Sequence, residues 1–176
     1  MTRRGIFLLC AGIAFGASFI GSIAAAPKVV MAVAMSRLSD GGERINRWHF
    51  IPLVTEESQT VVRSSPDLAY AICAFDLGDG PLLVSQSPDR TGHYRSLSLY
   101  ADNTDNFATF SDRTHPDGVT FVLTFGAERP TTALPIVRAP SIRGLILDRR
   151  VAPTAEAFAA VEPARRRGEC RPYNGE

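Results

Sequence analysis

The chain begins with one long apolar run and continues with short apolar runs that polar turns separate. The first run covers residues 5–26, carries no charged residue and follows Arg3 and Arg4. A helix over these 22 residues is about 33 Å long, enough to cross the hydrocarbon core of a bilayer. We therefore predict a transmembrane anchor over residues 5–27 that contacts the lipid bilayer. The rest of the chain divides into a cytoplasmic start over residues 1–4, a juxtamembrane connector over 28–50 and an exported domain over 51–176.

A cleaved signal peptide is the alternative to a retained anchor, because both begin with basic residues and an apolar run. Ala24, Ala25 and Ala26 are small residues of the kind found at cleavage sites. Against cleavage, the apolar run is longer than the roughly 7–15 residues of a signal-peptide core, and Pro27 directly follows the alanines. Basic residues before a retained anchor place the N-terminus in the cytoplasm. This interpretation predicts a single-pass protein of the bacterial inner membrane with a periplasmic domain.

The domain after the connector shows the two-residue period of β-strands. The clearest strand spans residues 119–125, where Thr120 and Thr124 point outward and four residues face the core: Val119, Phe121, Leu123 and Phe125. Further strands are predicted over residues 69–77, 82–84, 94–101, 136–137 and 144–147. One helix is predicted in the domain, over residues 154–161 and ended by Pro163. Short strands at this spacing indicate a mainly β fold, an antiparallel sandwich or barrel with a short C-terminal helix.

The cysteines divide between the anchor and the domain. Cys10 lies in the apolar run, where it can act as a small apolar residue, whereas Cys73 and Cys170 lie in the exported part. An oxidising compartment allows disulfides to persist. No Cys-x-x-Cys or Cys/His cluster in the sequence indicates a zinc site instead. We predict a Cys73–Cys170 disulfide, and a pair of free thiols is the alternative.

Four motifs follow one another in the domain. They are Ser65–Tyr70, Phe75–Pro81, Tyr94–Leu97 and Asn103–Phe107. With the basic start, the anchor and the entry at Ile51–Leu53, this order resembles the short, membrane-anchored members of the bacterial family catalogued as domain of unknown function 1254. The resemblance implies an immunoglobulin-like antiparallel β-sandwich and a companion protein that carries domain of unknown function 1214. It also matches Cys73 and Cys170 to cysteines of the short members, which supports the disulfide.

Five polar residues in or near these motifs are candidates for a binding site: Asp67, Tyr70, Tyr94, Asp102 and Asp105. Asp67 and Tyr70 retain part of the Asn-x-Asp-Thr-x-Tyr pattern that longer members of the resembled family show, but Ser65 and Leu68 replace its Asn and Thr. The alternative for the two later aspartates is the capping of a turn through their own backbone. The alternative for the tyrosines is a place in the core with a hydrogen-bonded hydroxyl.

Composition and motifs argue against several function classes. A net charge of +1 and a single basic cluster, Arg165–Arg167, give no electrostatic basis for nucleic-acid binding. The sequence contains no Gly-x-Ser-x-Gly, Ser-x-x-Lys or phosphate-binding Gly-rich motif, and its three histidines are scattered. We therefore predict no catalytic residue, no metal site and no cofactor. The predicted function is a binding or assembly module; the alternative is a periplasmic hydrolase or other enzyme whose site is built from scattered Asp, Tyr and His residues.

Overall fold

The apolar N-terminal segment forms a single helix. The computed structural model describes residues 2–54, 64–127 and 129–175. Helix α1 spans Arg3–Leu38. Thr2 caps its N-terminus, because the Thr2 hydroxyl accepts a hydrogen bond from the backbone N–H of Gly5 at 3.3 Å. Pro27 lies inside α1 without ending it, so the helix continues through the first part of the predicted connector.

In the part of the chain that the structure describes, α1 is the one helix long and apolar enough to cross a membrane. Its most apolar stretch is not buried by the rest of the protein. A helix of this kind near the N-terminus is compatible with a membrane anchor or with a signal sequence. A short 3₁₀ helix over Asp40–Gly42 follows, and Gly41 takes a φ of 70°, a left-handed conformation that favours glycine and redirects the chain after α1.

The domain is a sandwich of two sheets. Its elements are β1 (His49–Phe50), β2 (Leu68–Asp76), β3 (Leu82–Gln86), β4 (Arg95–Ala101), β5 (Asn106–Ser111), β6 (Val119–Phe125), β7 (Ile136–Ala139), β8 (Arg143–Val151), α2 (Ala155–Arg166) and β9 (Cys170–Pro172). One sheet has the strand order β1-β2-β8-β4-β5, and the other has the order β7-β6-β3-β9. Paired strands are antiparallel except β6 and β7, which are parallel. The predicted mainly β fold with an N-terminal and a short C-terminal helix is confirmed.

Helix α2 begins where the sequence predicted but ends later. The Thr154 hydroxyl accepts a hydrogen bond from the backbone N–H of Ala157 at 3.1 Å, which makes Thr154 the N-cap. Pro163 does not end the helix, and the prediction that it would was wrong. The turn after Pro163 is held from outside the helix, because Arg165 Nη1 donates to the backbone oxygen of Ile51 at 2.9 Å. Tertiary contact thus compensates for the helix bond that proline cannot donate.

The core lies between the two sheets and confirms most of the predicted register of β6. Phe121 and Leu123 are fully buried there, together with Phe75, Leu97, Leu99 and Ile146 of the five-stranded sheet. The assignment of Phe125 to the core was wrong, because this residue, at the end of the strand, is 38% exposed. Thr124 lies on the face opposite Phe121, as predicted, but it is fully buried. The reason is that Val122, on the same face as Thr124, is also fully buried, so both faces of β6 are covered at this point.

A disulfide joins the two sheets. Cys73 lies on β2 of the five-stranded sheet and Cys170 on β9 of the four-stranded sheet, with their Cα atoms 6.6 Å apart. This separation lies within the range of about 4.4–6.8 Å that disulfides span. Cys10 is free and exposed on α1. The predicted pairing is confirmed, and it ties the C-terminal segment to the middle of the sandwich.

Replacing both bonded cysteines, C73A/C170A, is expected to lower the free energy of unfolding by about 2–5 kcal/mol. The bridge strongly reduces the conformational entropy of the unfolded chain, because it closes a loop between positions 97 residues apart. Urea unfolding of the full chain in detergent micelles measures the loss, and non-reducing peptide mapping should recover the linked peptides. Cys10→Ala is the control and should leave the unfolding midpoint unchanged; equal midpoints for the two variants would contradict the assignment.

The C-terminal part of α1 packs on the outer face of the five-stranded sheet. Met31 and Met35 are buried against Ala74 of β2, and Tyr100 and Leu145 extend the contact. The bridge between Ile45 and Ala74 holds the chain after α1 on the same face. Three valines on α1 remain exposed: Val29, Val30 and Val33. The helix therefore has one side on the sandwich and an apolar side that the described protein does not cover.

Candidate functional site

A groove lies where α1 meets the sandwich, and we name it the junction groove. Its volume is about 530 Å³. It is lined by Lys28, Met31, Ala32, Met35, Ser36 and Ser39 of α1 and its end, by Gly41, Gly42 and Ile45 of the following segment, and by Asp76, Asp102, Ile142 and Arg143 of the sandwich. The groove thus brings together three parts of the chain that are far apart in sequence, and its walls are the docked helix and the end of the five-stranded sheet.

The floor of the junction groove is apolar and part of its wall is an ion pair. Arg143 Nε lies 2.7 Å from Asp76 Oδ2; the Arg143 side chain is 65% exposed and that of Asp76 is 26% exposed. The other carboxylate oxygen, Asp76 Oδ1, accepts a hydrogen bond from the backbone N–H of Gly78 at 2.9 Å. Asp76 is therefore satisfied within the protein. Ile142, beside this pair, is 42% exposed and continues the apolar floor toward the opening.

Two further charges in the groove have no such partner. Within the described ranges, neither the Lys28 ammonium nor the Asp102 carboxylate forms an ion pair or a hydrogen bond. The turn that carries Asp102 is nevertheless fixed, because its backbone N–H donates to Ser141 Oγ at 3.0 Å. Ser141 Oγ in turn donates to the backbone oxygen of Arg143 at 2.7 Å. The groove therefore presents one unpaired cation and one unpaired carboxylate on a fixed frame.

The five predicted binding residues do not come together. Asp102 and Asp105 follow β4 at the end where Ala101 pairs with Gly144, the start of β8. Asp67 and Tyr94 lie at the other end of the sheet, where their backbone oxygens accept hydrogen bonds from Ala152 and Val151, just after and at the end of β8. Asp102 is the member of the set that lines the junction groove. The structure thus splits the predicted site between the two ends of the five-stranded sheet.

Hydrogen bonds within the chain occupy two of the remaining candidates. Asp105 Oδ2 accepts from the Asn103 side-chain amide at 2.6 Å, and the Asp105 N–H donates to Asn103 Oδ1 at 3.2 Å. The side chain that caps this turn is therefore that of Asn103, and the Asp105 carboxylate bonds the Asn103 side chain. The Tyr70 hydroxyl accepts from the backbone N–H of Ser65 at 3.0 Å, which is the alternative of a hydrogen-bonded structural tyrosine. Tyr94 is 44% exposed on the surface.

A group of buried charged and polar side chains, which the sequence did not predict, lies between the sheets away from the junction groove. We name Gln86, Asp89, Asp148 and Arg150 the interior ion cluster. Arg150 lies 3.0 Å from Asp89 and 3.1 Å from Asp148, and its Nη2 donates to the backbone oxygen of Ser87 at 2.9 Å. Gln86 donates to the other oxygen of Asp148 at 2.6 Å. Arg150 thus joins β8 to the loop after β3, and the bond between Gln86 and Asp148 joins a strand of each sheet.

The two carboxyls of the cluster respond differently to this environment. Burial raises the pKa of Asp148, and the neighbouring Arg150 and Gln86 oppose that rise. Burial also acts on Asp89, but hydrogen bonds from Thr91 and the charge of Arg150 hold the pKa of Asp89 below its usual value. The side chains of Arg150, Asp89 and Asp148 are at most 4% exposed. The cluster is therefore closed to a substrate and acts in the structure of the sandwich.

The enzyme alternative relied on scattered histidines, and two of the three contact residues close to them in sequence. His49 Nδ1 lies 2.9 Å from Arg44 Nη1, and His115 Nδ1 lies 2.9 Å from the Thr114 hydroxyl. Burial and the nearby Arg44 lower the pKa of His49. In the described part of the chain no three His, Cys, Asp or Glu side chains are grouped as metal ligands would be. By contrast, the junction groove presents two unpaired charges, those of Lys28 and Asp102.

Comparisons with known proteins agree with the architecture. Residues 45–172 match a family model described as "Protein of unknown function (DUF1254)". The chain is similar to the VPA0106 protein from Vibrio parahaemolyticus, a crystal structure, with a TM-score of 0.66 and 17% identity over 85% of this chain and 36% of that chain. This likeness shows the fold.

A crystal structure of a putative uncharacterized protein from Burkholderia cenocepacia matches with a TM-score of 0.47 and 16% identity, over 69% of this chain and 35% of that chain. The chain thus spans about a third of the length of the two solved structures. A search of the curated proteins found no match.

Proposed function

Because the chain belongs to the family described as protein of unknown function DUF1254, and its charged interior is closed to substrates, we propose that it is a binding or assembly module. In this proposal α1 is a retained, single-pass anchor in the bacterial inner membrane. The sandwich lies on the periplasmic side and is held at the membrane surface. The module acts there by presenting the sandwich to a partner.

The observation that carries the proposal is the docking of α1 on the sandwich. The same helix that begins at Arg3 ends at Leu38, and its last turns bury Met31 and Met35 on the five-stranded sheet. No flexible linker separates the apolar helix from the docked turns, because α1 is continuous. A sandwich on such a helix has a fixed height and orientation above a bilayer. Those are properties that a membrane-bound assembly module needs.

The orientation follows from charge and from the disulfide. Arg3 and Arg4 precede the apolar run, and positive residues favour the cytoplasmic side. The sandwich then lies outside the cytoplasm. The Cys73–Cys170 bridge supports this placement, because disulfides persist in the oxidising periplasm and are rare in the cytoplasm.

The partner we propose is a protein that carries domain of unknown function 1214. Longer proteins of the resembled family fuse the two domains in one chain. The present chain spans 36% of the length of VPA0106, so most of that longer protein has no counterpart in this sequence.

Affinity purification of the tagged full chain from cross-linked membranes tests the proposal. We expect the companion protein to co-purify and the intact mass to show an uncleaved N-terminus. The undocking variant M31S/M35S should lower recovery of the companion severalfold, whereas V30S/V33S, on the exposed side of α1, should not. A mature chain that starts at or after Pro27 would refute the anchor. Unchanged recovery with M31S/M35S would refute the importance of docking, and no companion with the wild type would refute the partner.

A further inference from the structure

We propose that the junction groove binds the headgroup of one zwitterionic aminophospholipid from the membrane leaflet around α1, with the lipid phosphate on Lys28 and its ammonium on Asp102. This inference rests on the proposed function, because it requires α1 to remain in the bilayer. It adds a specific ligand class and a site to the anchor. The three supporting observations are the depth of the groove, its charges and the apolar surfaces around it.

The depth of the groove follows from the length of the helix. If residues 5–26 fill the hydrocarbon core, then Lys28 lies about 3 Å and Met31 about 7.5 Å beyond its boundary, at 1.5 Å per residue. The polar headgroup layer on each side of a bilayer is roughly 5–7.5 Å thick. The α1 wall of the groove therefore starts within the headgroup layer. Met35, about 13.5 Å beyond the boundary, lies above that layer, where the sandwich packs on the helix.

The charges of the groove are complementary to a zwitterion. Asp76 and Arg143 neutralise each other in an ion pair at 2.7 Å. The remaining charges in the lining are Lys28 and Asp102, which have no partner within the described residues. A phosphate can pair with the first and a primary ammonium with the second, and both contacts are charge-assisted hydrogen bonds. A headgroup with a phosphate but no cation would leave the Asp102 carboxylate unpaired and would be repelled by it.

The choice of a primary amine follows from hydrogen bonding. An ammonium group of the –NH₃⁺ type donates three hydrogen bonds, and a carboxylate is an acceptor. A quaternary choline group has no N–H and cannot donate to Asp102. The structure therefore favours phosphatidylethanolamine over phosphatidylcholine, although both headgroups carry the same net charge.

The apolar surfaces supply contacts for the rest of the lipid. Met31, Met35 and Ile45 form the floor of the groove, and Ile142 is exposed at its side. On the opposite side of α1, exposed valines continue the apolar surface of the anchor past Lys28, at Val29, Val30 and Val33. Lipid is therefore expected around this part of the helix. A lipid beside Lys28 can enter the groove sideways without leaving the leaflet.

Native mass spectrometry of the full chain tests the assignment. The chain is delipidated in detergent and offered equal amounts of dioleoyl phosphatidylethanolamine, phosphatidylcholine and phosphatidylglycerol. We expect one retained phosphatidylethanolamine, and about tenfold weaker retention in Asp102→Asn and in Lys28→Gln, because each removes a charge-assisted hydrogen bond. The controls are Asp79→Asn, an exposed aspartate in the turn after β2, and Arg37→Gln, an exposed cation of α1 outside the groove lining. Both should retain the lipid as the wild type does.

The outcomes separate this inference from the proposed function. Equal retention of the three lipids, or equal effects of Asp102→Asn and Asp79→Asn, would overturn the lipid site while the intact mass still shows a retained anchor. Preferred retention of phosphatidylglycerol would also overturn it, since that headgroup has no cation for Asp102. A chain cleaved near Pro27 would overturn both, because Lys28 would no longer be held at the bilayer surface.

Discussion

Arg150→Met is expected to lower the free energy of unfolding by about 3–5 kcal/mol, the cost of breaking a buried ion pair by removing one partner. Arg150 is the cation that lies 3.0 Å from Asp89 and 3.1 Å from Asp148 in the interior ion cluster. Without it, two buried carboxyls lose their counter-ion, and the backbone oxygen of Ser87 loses its donor. Urea unfolding of the full chain in detergent micelles, with the linear extrapolation, measures the change.

The adjacent arginine is the matched control for this prediction. Arg149 lies on the outer face of the same strand, where its Nη2 donates to the Ser98 hydroxyl at 3.1 Å. Arg149→Met should cost about 0.5–1.5 kcal/mol, the net worth of one hydrogen bond. The combined variant R150M/D148L/D89N should recover much of the loss, because no buried charge is then left unpaired. Equal losses at positions 149 and 150 would contradict the assigned faces of β8.

The interior ion cluster shows why part of the sandwich could not be predicted. Strand β8 was predicted to end at Leu147, and the residues that follow it are of the charged kind that rarely lies in cores. In the structure β8 continues to Val151, with Asp148 and Arg150 facing inward. Their partners, Gln86 and Asp89, are about sixty positions away in sequence. Only the pairing of distant segments makes the burial of these charges possible, and no local pattern reveals that pairing.

The candidate site, like the interior ion cluster, could be predicted only in part from the sequence. Two-residue periodicity predicted β2, β3, β4, β6, β7 and β8, because alternation reflects burial of one face. It did not predict β1, β5 or β9. It does not state which strands are neighbours, nor which turns share an end of a sheet. Asp67 and Asp102 both lie in turns, yet β8 separates them along its full length. The junction groove forms because Met31 and Met35 pack against Ala74, which is a tertiary contact. The sequence alone shows only that the segment carrying the two methionines is apolar.

The apolar N-terminal helix and the disulfide were more accessible to sequence reasoning because each depends on few positions. An uncharged run of sufficient length predicts a helix that can cross a membrane, whatever the domain looks like. Two cysteines in one compartment leave a single possible pair, and the structure joins Cys73 to Cys170. The extension of α1 to Leu38 was missed. The helix extends this far because no strong helix breaker lies between Pro27 and the glycines of the 3₁₀ helix.

Phe121→Ala is expected to destabilise the sandwich by about 3–5 kcal/mol, as large-to-small changes at buried aromatic positions do. Phe121 is 1% exposed, and its ring stacks on Phe110 of the opposite sheet with centroids 5.2 Å apart. The truncation removes that contact and leaves a cavity that the surrounding β-strands cannot fill without shifting. Chemical unfolding of the full chain, compared with the wild type at the same detergent concentration, measures the loss.

Substitutions at three other positions of β6 test whether the loss of stability depends on the face of the strand that a residue occupies. Thr120→Ala, next to Phe121 but exposed, should cost less than about 1 kcal/mol. Phe125→Ala should cost less than Phe121→Ala, because Phe125 keeps 38% of its surface exposed. Thr124→Val should be neutral or stabilising, since the buried Thr124 hydroxyl has no hydrogen-bond partner among the described residues. Equal losses of unfolding free energy for Phe121→Ala and Thr120→Ala would contradict the assigned register of β6, because Phe121 would then not face the core.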